Sequence, residues 1–445
     1  MKDRAPRDIE INGRYAWYVV GVLMFAYIVS FIDRLILGLL IQPIKQSLQV
    51  SDIEMGLLAG IGFALFYTVM GIPLARLADS GNRKWLIIAG ASLWTLMTAA
   101  SSLAESYTHL LIARIGVGVG EATLTPAAMS MIADYFSRDR VSRAIGTYSI
   151  GLYLGAGIAL LGGSAVVQAI SVMDLSGGAF SSFAPWQLAF LAAAMPGIAV
   201  VLLMLTVREP PRQELSGGAA DARAALPLRE VFTFMGANRR LLAGHFIGYG
   251  LVGTAVTAYL VWAPEMLRRS FDIPIGAAGF AYGMLLLTLG ALGPFMGGWW
   301  AQRAAARGEP DAEIAVSIRA LVWLAPFAIA GPLMPTLTSA VIVLAPVVFL
   351  LSIPQGLAPA VLQLVSPNRM RGQVLSAFVL CAVIFAYSIG PTAVPFAASR
   401  LFGDENALDK GMALVGGLCI PLGALALAWA RRPFGEAMRA GGRSG

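Results

Sequence analysis

Of the 445 residues, 58% are hydrophobic and only 13% are charged, against roughly 25% charged in an ordinary soluble domain. That leaves too few charges to cover a soluble surface, which excludes a soluble enzyme and a disordered scaffold and points to an all-α protein crossing a membrane many times. The net charge of +7 sits in short hops between apolar runs. That pattern orients helices in a bilayer, so no nucleic-acid partner is expected.

Twelve apolar segments follow in chain order, at 17–41, 54–77, 85–104, 109–133, 144–167, 186–207, 241–266, 275–301, 314–334, 337–363, 373–399 and 411–431. Each is about 20–27 residues, the length a helix needs to span a bilayer whose interior cannot hydrogen-bond an open backbone. The residues before the first run mix acids and bases. That run is too long for a signal-peptide core and has no small-residue cleavage site after it, so it is expected to stay as the first membrane helix. Prolines within the runs, among them Pro126, Pro264, Pro354, Pro359, Pro391 and Pro395, are tolerated as kinks in a packed bundle.

Residues 208–240 form the longest hydrophilic stretch, with Pro210, Pro211, Gly217 and Gly218. They read as a cytoplasmic linker with a short surface helix at Pro227–Met235. The expected organisation is a six-helix bundle over 1–207, the linker 208–240 and a second six-helix bundle over 241–445. With both termini cytoplasmic, 24 of the 32 Lys and Arg residues fall on the inside and 5 on the outside. The positive-inside rule favours that orientation. The halves also align with each other. At an offset of 223, Val50-Ser51 falls on Ile273-Pro274, Gly56 on Gly279, and Gly60 on Gly283. Repeated six-helix halves around a midplane site are a common plan of secondary transporters.

Four ionisable residues lie deep in the apolar runs: Asp33, Arg34, Arg114 and Glu121. Each costs roughly 2.5–3.5 kcal/mol at a helix centre, so such charges face the protein interior and pair with one another. At 1.5 Å per residue, Asp33 lies about 24 Å above the inner end of its helix, Arg114 about 28 Å and Glu121 about 18 Å. Arg114 and Glu121, seven apart, share one helix face. The second half has no counterpart, since Arg319 sits near its cytoplasmic end. Burial disfavours an ionised carboxylate and a neighbouring arginine favours it. A carboxylate that gains and loses its arginine during a cycle is therefore a proton switch. Asp33 is expected to pair with Arg114 or Arg34 in one state and to hold a proton in another, with Glu121 as a second acceptor and the arginines as their charge partners. The alternative for this layer is a static ion pair that only fixes helix packing.

Other features carry less chemistry. Cys381 and Cys419 lie within apolar runs, and His109 and His245 are far apart, so neither a disulfide nor a metal site is expected. Gly116, Gly118 and Gly120 have no preceding strand and no P-loop lysine. They read as a close helix contact, and no cofactor is expected. Aromatic residues at positions that can face inward, as packing or as cavity lining, are Phe25, Tyr27, Tyr67, Tyr148, Tyr153, Tyr249, Tyr282 and Tyr387.

The loop Leu77-Ala78-Asp79-Ser80-Gly81-Asn82-Arg83-Lys84 resembles the loop signature of the major facilitator superfamily. It departs from that signature at Ala75 and Asn82, where glycines are usual. The Asn-Arg-Lys ending is similar to the spinster-like branch. So are Phe31-Ile32-Asp33-Arg34 and Arg114-x-Gly116-x-Gly118-x-Gly120-Glu121-Ala122. The resemblance implies a twelve-helix transporter of two six-helix bundles that works by alternating access, not an enzyme and expected as a monomer; the short loops and Ala/Gly/Arg-rich composition fit a bacterial inner membrane. The resemblance implies a lysophospholipid or sphingosine-phosphate-like cargo, whose anionic headgroup Arg34 and Arg114 would hold. It also implies a cytoplasmic gate of Asp79, Arg83, Lys84, Asp134 and Arg143, with Arg83 paired to Asp134. The drug-antiporter motif of the fifth span is poorly matched, because Gly151-x-x-x-Gly155-Ala156-Gly157 lacks its proline. A carrier of a small organic anion or drug-like solute is the nearest alternative, and a binding-only receptor a more distant one.

Overall fold

The computed structural model describes residues 13–137, 140–173, 182–211, 228–367 and 370–441. Among them every regular element is helical. In chain order these are α1 (Arg14–Leu39), α2 (Ile41–Leu48), α3 (Asp52–Ala59), α4 (Ile61–Ser80), α5 (Arg83–Ser101), α6 (Tyr107–Glu121), α7 (Leu124–Tyr135), α8 (Val141–Ser171) and α9 (Pro185–Thr206). There follow α10 (Leu228–Ala237), α11 (Arg239–Phe271), α12 (Ile275–Leu285), α13 (Ala291–Ala306), α14 (Ala312–Ala330), α15 (Leu337–Val365), α16 (Arg371–Val383), α17 (Gly390–Phe396) and α18 (Leu408–Gly441). Eleven helical segments of the described residues are long and apolar enough to cross a membrane. The twelfth crossing is α5, 19 residues long, whose first turn holds the Arg83-Lys84 pair. The protein is a multi-pass membrane protein.

Helix starts follow local chemistry. Ser51 caps α3 in a reciprocal box with Glu54, Asn82 caps α5, Ser106 caps α6 and Thr336 caps α15; each side chain takes an N–H that the first turn leaves without a helical acceptor. The internal repeat reappears in these starts. Asp52 and Ile275 begin helices at the offset of 223, as do Pro185 and Leu408.

Two apolar runs are broken where hydropathy is continuous. The second breaks at Gly60, with φ −105° and ψ −97°, between α3 and α4. The fourth breaks at Ala122-Thr123, where the Thr123 hydroxyl donates to the Gly120 carbonyl at 2.8 Å. Pro126 then sits in the first turn of α7, where its missing N–H costs nothing. Wider π turns interrupt the eighth crossing at Leu286–Gly290 and the eleventh at Ile384–Ile389 and Ala397–Leu401.

The chain divides into two compact units. The first comprises Met1–Leu48 and Leu65–Leu215, the second Gln49–Ala64 and Ser216–Gly445. Glycines set the close approaches in each. In the first, a Cβ on Gly155 of α8 would lie 2.9 Å from Phe31 Cβ and 3.0 Å from Ile28 Cα of α1. A Cβ on Gly120 of α6 would lie 2.7 Å from the Gly90 carbonyl of α5. In the second, a Cβ on Gly244 of α11 would lie 2.7 Å from the Ala426 carbonyl of α18. Helices approach this closely only where small residues expose the backbone, the usual basis of helix association in lipid.

Candidate functional site

The first unit buries a layer of four charges on α1 and α6. The α1–α8 contact fixes α1 at Phe31, two residues before Asp33. The α5–α6 contact fixes α6 at Gly120, one residue before Glu121. Asp33, Arg114 and Glu121 are each 1% exposed.

Within the layer, Arg34 Nε donates to Glu121 Oε2 at 2.5 Å, with side-chain exposures of 12% and 0%. The same guanidinium lies 5.0 Å from the ring centroids of Phe31 and Tyr67, so two aromatic faces add cation–π attraction in a largely buried site. Arg114 does not reach the Asp33 carboxyl. It donates instead to the Asp33 carbonyl at 2.7 Å and to the Arg34 carbonyl at 3.3 Å. A carbonyl has two lone pairs, so each keeps its helical N–H while accepting the arginine, and α1 runs unbroken. Asp33 is left with both carboxyl oxygens buried and outside hydrogen-bond distance of any donor among the described residues, the Thr98 hydroxyl being the polar side chain that faces it without closing a full hydrogen bond; Glu121 Oε1 and Arg114 Nε are likewise buried and unpartnered.

The arrangement thus brings all four sequence-predicted charges together, with Asp33 in the unpaired one of its two expected conditions. Neither arginine bonds the Asp33 carboxyl: one holds Glu121, the other the backbone of α1. The arrangement also answers what the glycines of α6 do. A Cβ on Gly90 would lie 1.9 Å from the Thr123 hydroxyl, so these glycines bring two helices together.

The family model described as Major Facilitator Superfamily matches residues 23–391. The chain belongs to the major facilitator superfamily. Its fold and family are those of membrane transporters, and the transporter is of the spinster type. It is 27% identical to a bacterial homolog of the human lysosomal transporter Spinster, whose crystal structure in an inward-facing, unoccupied conformation covers 96% of this chain and 97% of that one with a TM-score of 0.77. It is 30% identical over 412 residues to an MFS-type efflux pump of Mycolicibacterium smegmatis, covering 90% of this chain and 89% of that protein. It is 29% identical over 330 residues to human protein spinster homolog 1, covering 69% of this chain and 58% of the human protein's length.

The superfamily's loop motif forms a second ionic centre, where α5 begins. Arg83, 1% exposed, donates from Nε to Glu209 Oε1 at 2.6 Å and from its other nitrogens to the Asp134 carboxylate, to Ser130 Oγ at 3.1 Å and to the Pro210 carbonyl at 3.0 Å. The Lys84 N–H donates to Glu209 Oε2 at 2.8 Å and its ammonium to the Leu205 carbonyl at 2.8 Å. One buried guanidinium therefore ties together the start of α5, the end of α7 and the chain leaving α9. Asp134 was legible as its partner; Glu209 was not, because it follows an apolar run as an ordinary loop acid. Asp79 lies in the last turn of α4 and its side chain is outside the described residues, as is that of Tyr153. Arg143 is exposed, with its guanidinium 5.7 Å from the Trp17 ring.

The aromatic candidates separate into groups. Tyr27 and Tyr148 stack at 4.9 Å between centroids and 11° between planes. Tyr67 covers Arg34, and Phe25 is half-buried on α1. In the second unit Tyr249 is buried and its hydroxyl shares a hydrogen bond of 2.8 Å with Ser317 Oγ. Tyr282 is buried, and Tyr387 lies 6.2 Å from the Phe63 ring.

The second unit holds polar groups that the apolar pattern concealed. His245 on α11 is fully buried, its Nε2 2.9 Å from the Ala358 carbonyl. Near the far end of α11, Glu265 is 1% exposed and accepts from Arg268 and Arg269. Arg269 also donates to both oxygens of Asp52, at 2.7 and 2.9 Å. The second half is therefore not free of buried charge. Glu265 falls at the edge of its run and Asp52 just before one, where acids are common.

Proposed function

We propose that this chain is a proton-coupled secondary transporter of a single-chain anionic amphiphile, a lysophospholipid or sphingosine-phosphate-like molecule, working by alternating access in a bacterial inner membrane. The observation that carries the reading is the Asp33 carboxyl group, buried beside two arginines yet with no donor within hydrogen-bond distance of either oxygen. A bare charge there is costly, and binding a proton removes the cost. Arg114, held on backbone carbonyls, is the cation available to an anionic headgroup. When an anion draws Arg114 or Arg34 away, the carboxyls lose a neighbouring cation and bind protons more readily, so proton and anion help each other and symport results. A headgroup ammonium that takes the carboxylate instead competes with the proton, which gives antiport. Arg83, Lys84, Asp134 and Glu209 act as the cytoplasmic bracket of the gate, to which the family resemblance adds Asp79 and Arg143.

The test is ligand-induced thermal stabilisation of the purified protein, at acidic and mildly alkaline pH, for wild type and Arg114→Ala. The reading requires saturable, pH-dependent stabilisation by lysophospholipid or sphingosine-phosphate that Arg114→Ala abolishes. The 30% identity to an MFS-type efflux pump over 90% of the chain supports export of some solute as a second reading, whose cargo we take as a drug-like solute or small organic anion. Stabilisation by those solutes and not by lipids would select it while leaving the proton site in place.

A further inference from the structure

The second unit has a groove remote from the charge layer in sequence and in chemistry. A cavity of about 550 Å³ is lined by Arg303 and Arg307 at the end of α13 and by Arg319 in α14, together with Trp299, Trp300 and Trp323. Trp299 and Arg303 on α13 and Arg307 directly after its end are spaced four apart; on α14, so are Arg319, Trp323 and Phe327. Each set forms one helix face. The Arg303 guanidinium lies 3.6 Å from the Trp299 ring centroid, flat against the cavity wall. Arg319 bonds Glu309 and is still 54% exposed. One acid thus meets three guanidiniums, leaving the groove cationic.

The lining is graded along the helices. The positive-inside rule puts the α13–α14 turn on the cytoplasmic side. From Arg319, Phe327 lies about 12 Å deeper at 1.5 Å per residue, and Leu350 closes the apolar end. Arginines with indole rings at the cytoplasmic end, and Trp323, Phe327 and Leu350 beyond, match the order of a phospholipid from headgroup to acyl chain. Trp323 is 70% exposed and Val322 60%, so the groove opens outward from the unit.

We propose that this groove seats one resident anionic phospholipid of the cytoplasmic leaflet, its phosphate held by Arg303, Arg307 and Arg319 and its first methylenes lying on Trp323 and Phe327. Basic pockets between membrane helices on this side are where such headgroups bind. The site is distinct from the transported cargo.

The test titrates the purified full-length protein, delipidated in neutral detergent, with phosphatidylglycerol or cardiolipin and with phosphatidylcholine, reading bound lipid by native mass spectrometry. Wild type should retain the anionic lipids and not phosphatidylcholine. Each arginine changed to Gln should weaken binding about five-fold, and all three together on the order of a hundred-fold. Arg307→Gln, at an exposed position, supplies the single-site measurement should the triple variant fold poorly. Glycerol phosphate and inorganic phosphate should not compete at concentrations where the lipid saturates. Equal binding of phosphatidylcholine, wild-type affinity in Arg307→Gln, or full competition by inorganic phosphate would each overturn the proposal.

Discussion

Replacing Glu121 by Gln probes the charge layer directly. The carboxylate has 0% side-chain exposure, and its Oε2 accepts from Arg34 Nε at 2.5 Å. Charge centres about 4 Å apart attract by about 4 kcal/mol at an effective dielectric constant of about 20, and removing one member of a buried pair typically costs about 3–5 kcal/mol. The amide keeps an acceptor but leaves two guanidiniums to share one carboxyl group. For a unit of this size, 1 kcal/mol corresponds to roughly 2–4 °C, so the melting temperature should fall on the order of 10 °C. Scanning fluorimetry of the purified protein measures it. The double variant Arg34→Met with Glu121→Gln removes both charges and should recover about half of the loss or more, since the penalty lies in the unmatched ion. A Glu121→Gln protein melting within about 2 °C of wild type, or a double variant no better than the single, would refute the reasoning.

Three further outcomes follow from the geometry. Gly120→Val places a branched side chain where even a Cβ lies 2.7 Å from the Gly90 carbonyl; it should separate α5 from α6 and cost about 3 kcal/mol or more, read as lost folded yield, whereas Gly21→Ala, with nothing within 4 Å, should be silent. Arg83→Ala removes the buried guanidinium from Asp134 and Glu209 and should cost about 3–5 kcal/mol, while Arg83→Lys, a point charge without the fork, should recover only part of it; full recovery by Lys would show that the bracket is not geometric. Arg269→Ala leaves Asp52 and Glu265 without their shared cation and should lower the melting temperature more than Arg268→Ala, whose side chain is 26% exposed; equal effects would contradict the shared-cation reading.

The four deep charges were legible because an ionisable residue in an apolar run costs several kcal/mol and so stands out. Their pairing was not, because it depends on how far α1 and α6 are rotated and on backbone carbonyls serving as acceptors. Gly60 and Ala122-Thr123 interrupt helices without interrupting hydropathy, so the apolar pattern runs straight across both. The π turns are invisible for the same reason. His245 was noticed as a residue but not as a buried one, since a lone histidine near a helix end carries no periodic signal. The Arg83–Asp134 pair was legible through family resemblance, while Glu209 required the fold to bring the end of α9 back to the start of α5.

The central claim is that Asp33 carries the coupled proton. The most direct measurement is uptake of a fluorescent lysophospholipid into proteoliposomes with and without an imposed pH gradient, for wild type and Asp33→Asn. Wild-type uptake should respond to the gradient, and Asp33→Asn should keep gradient-independent exchange while losing that response. An Asp33→Asn protein whose uptake follows the gradient as wild type does would contradict the account.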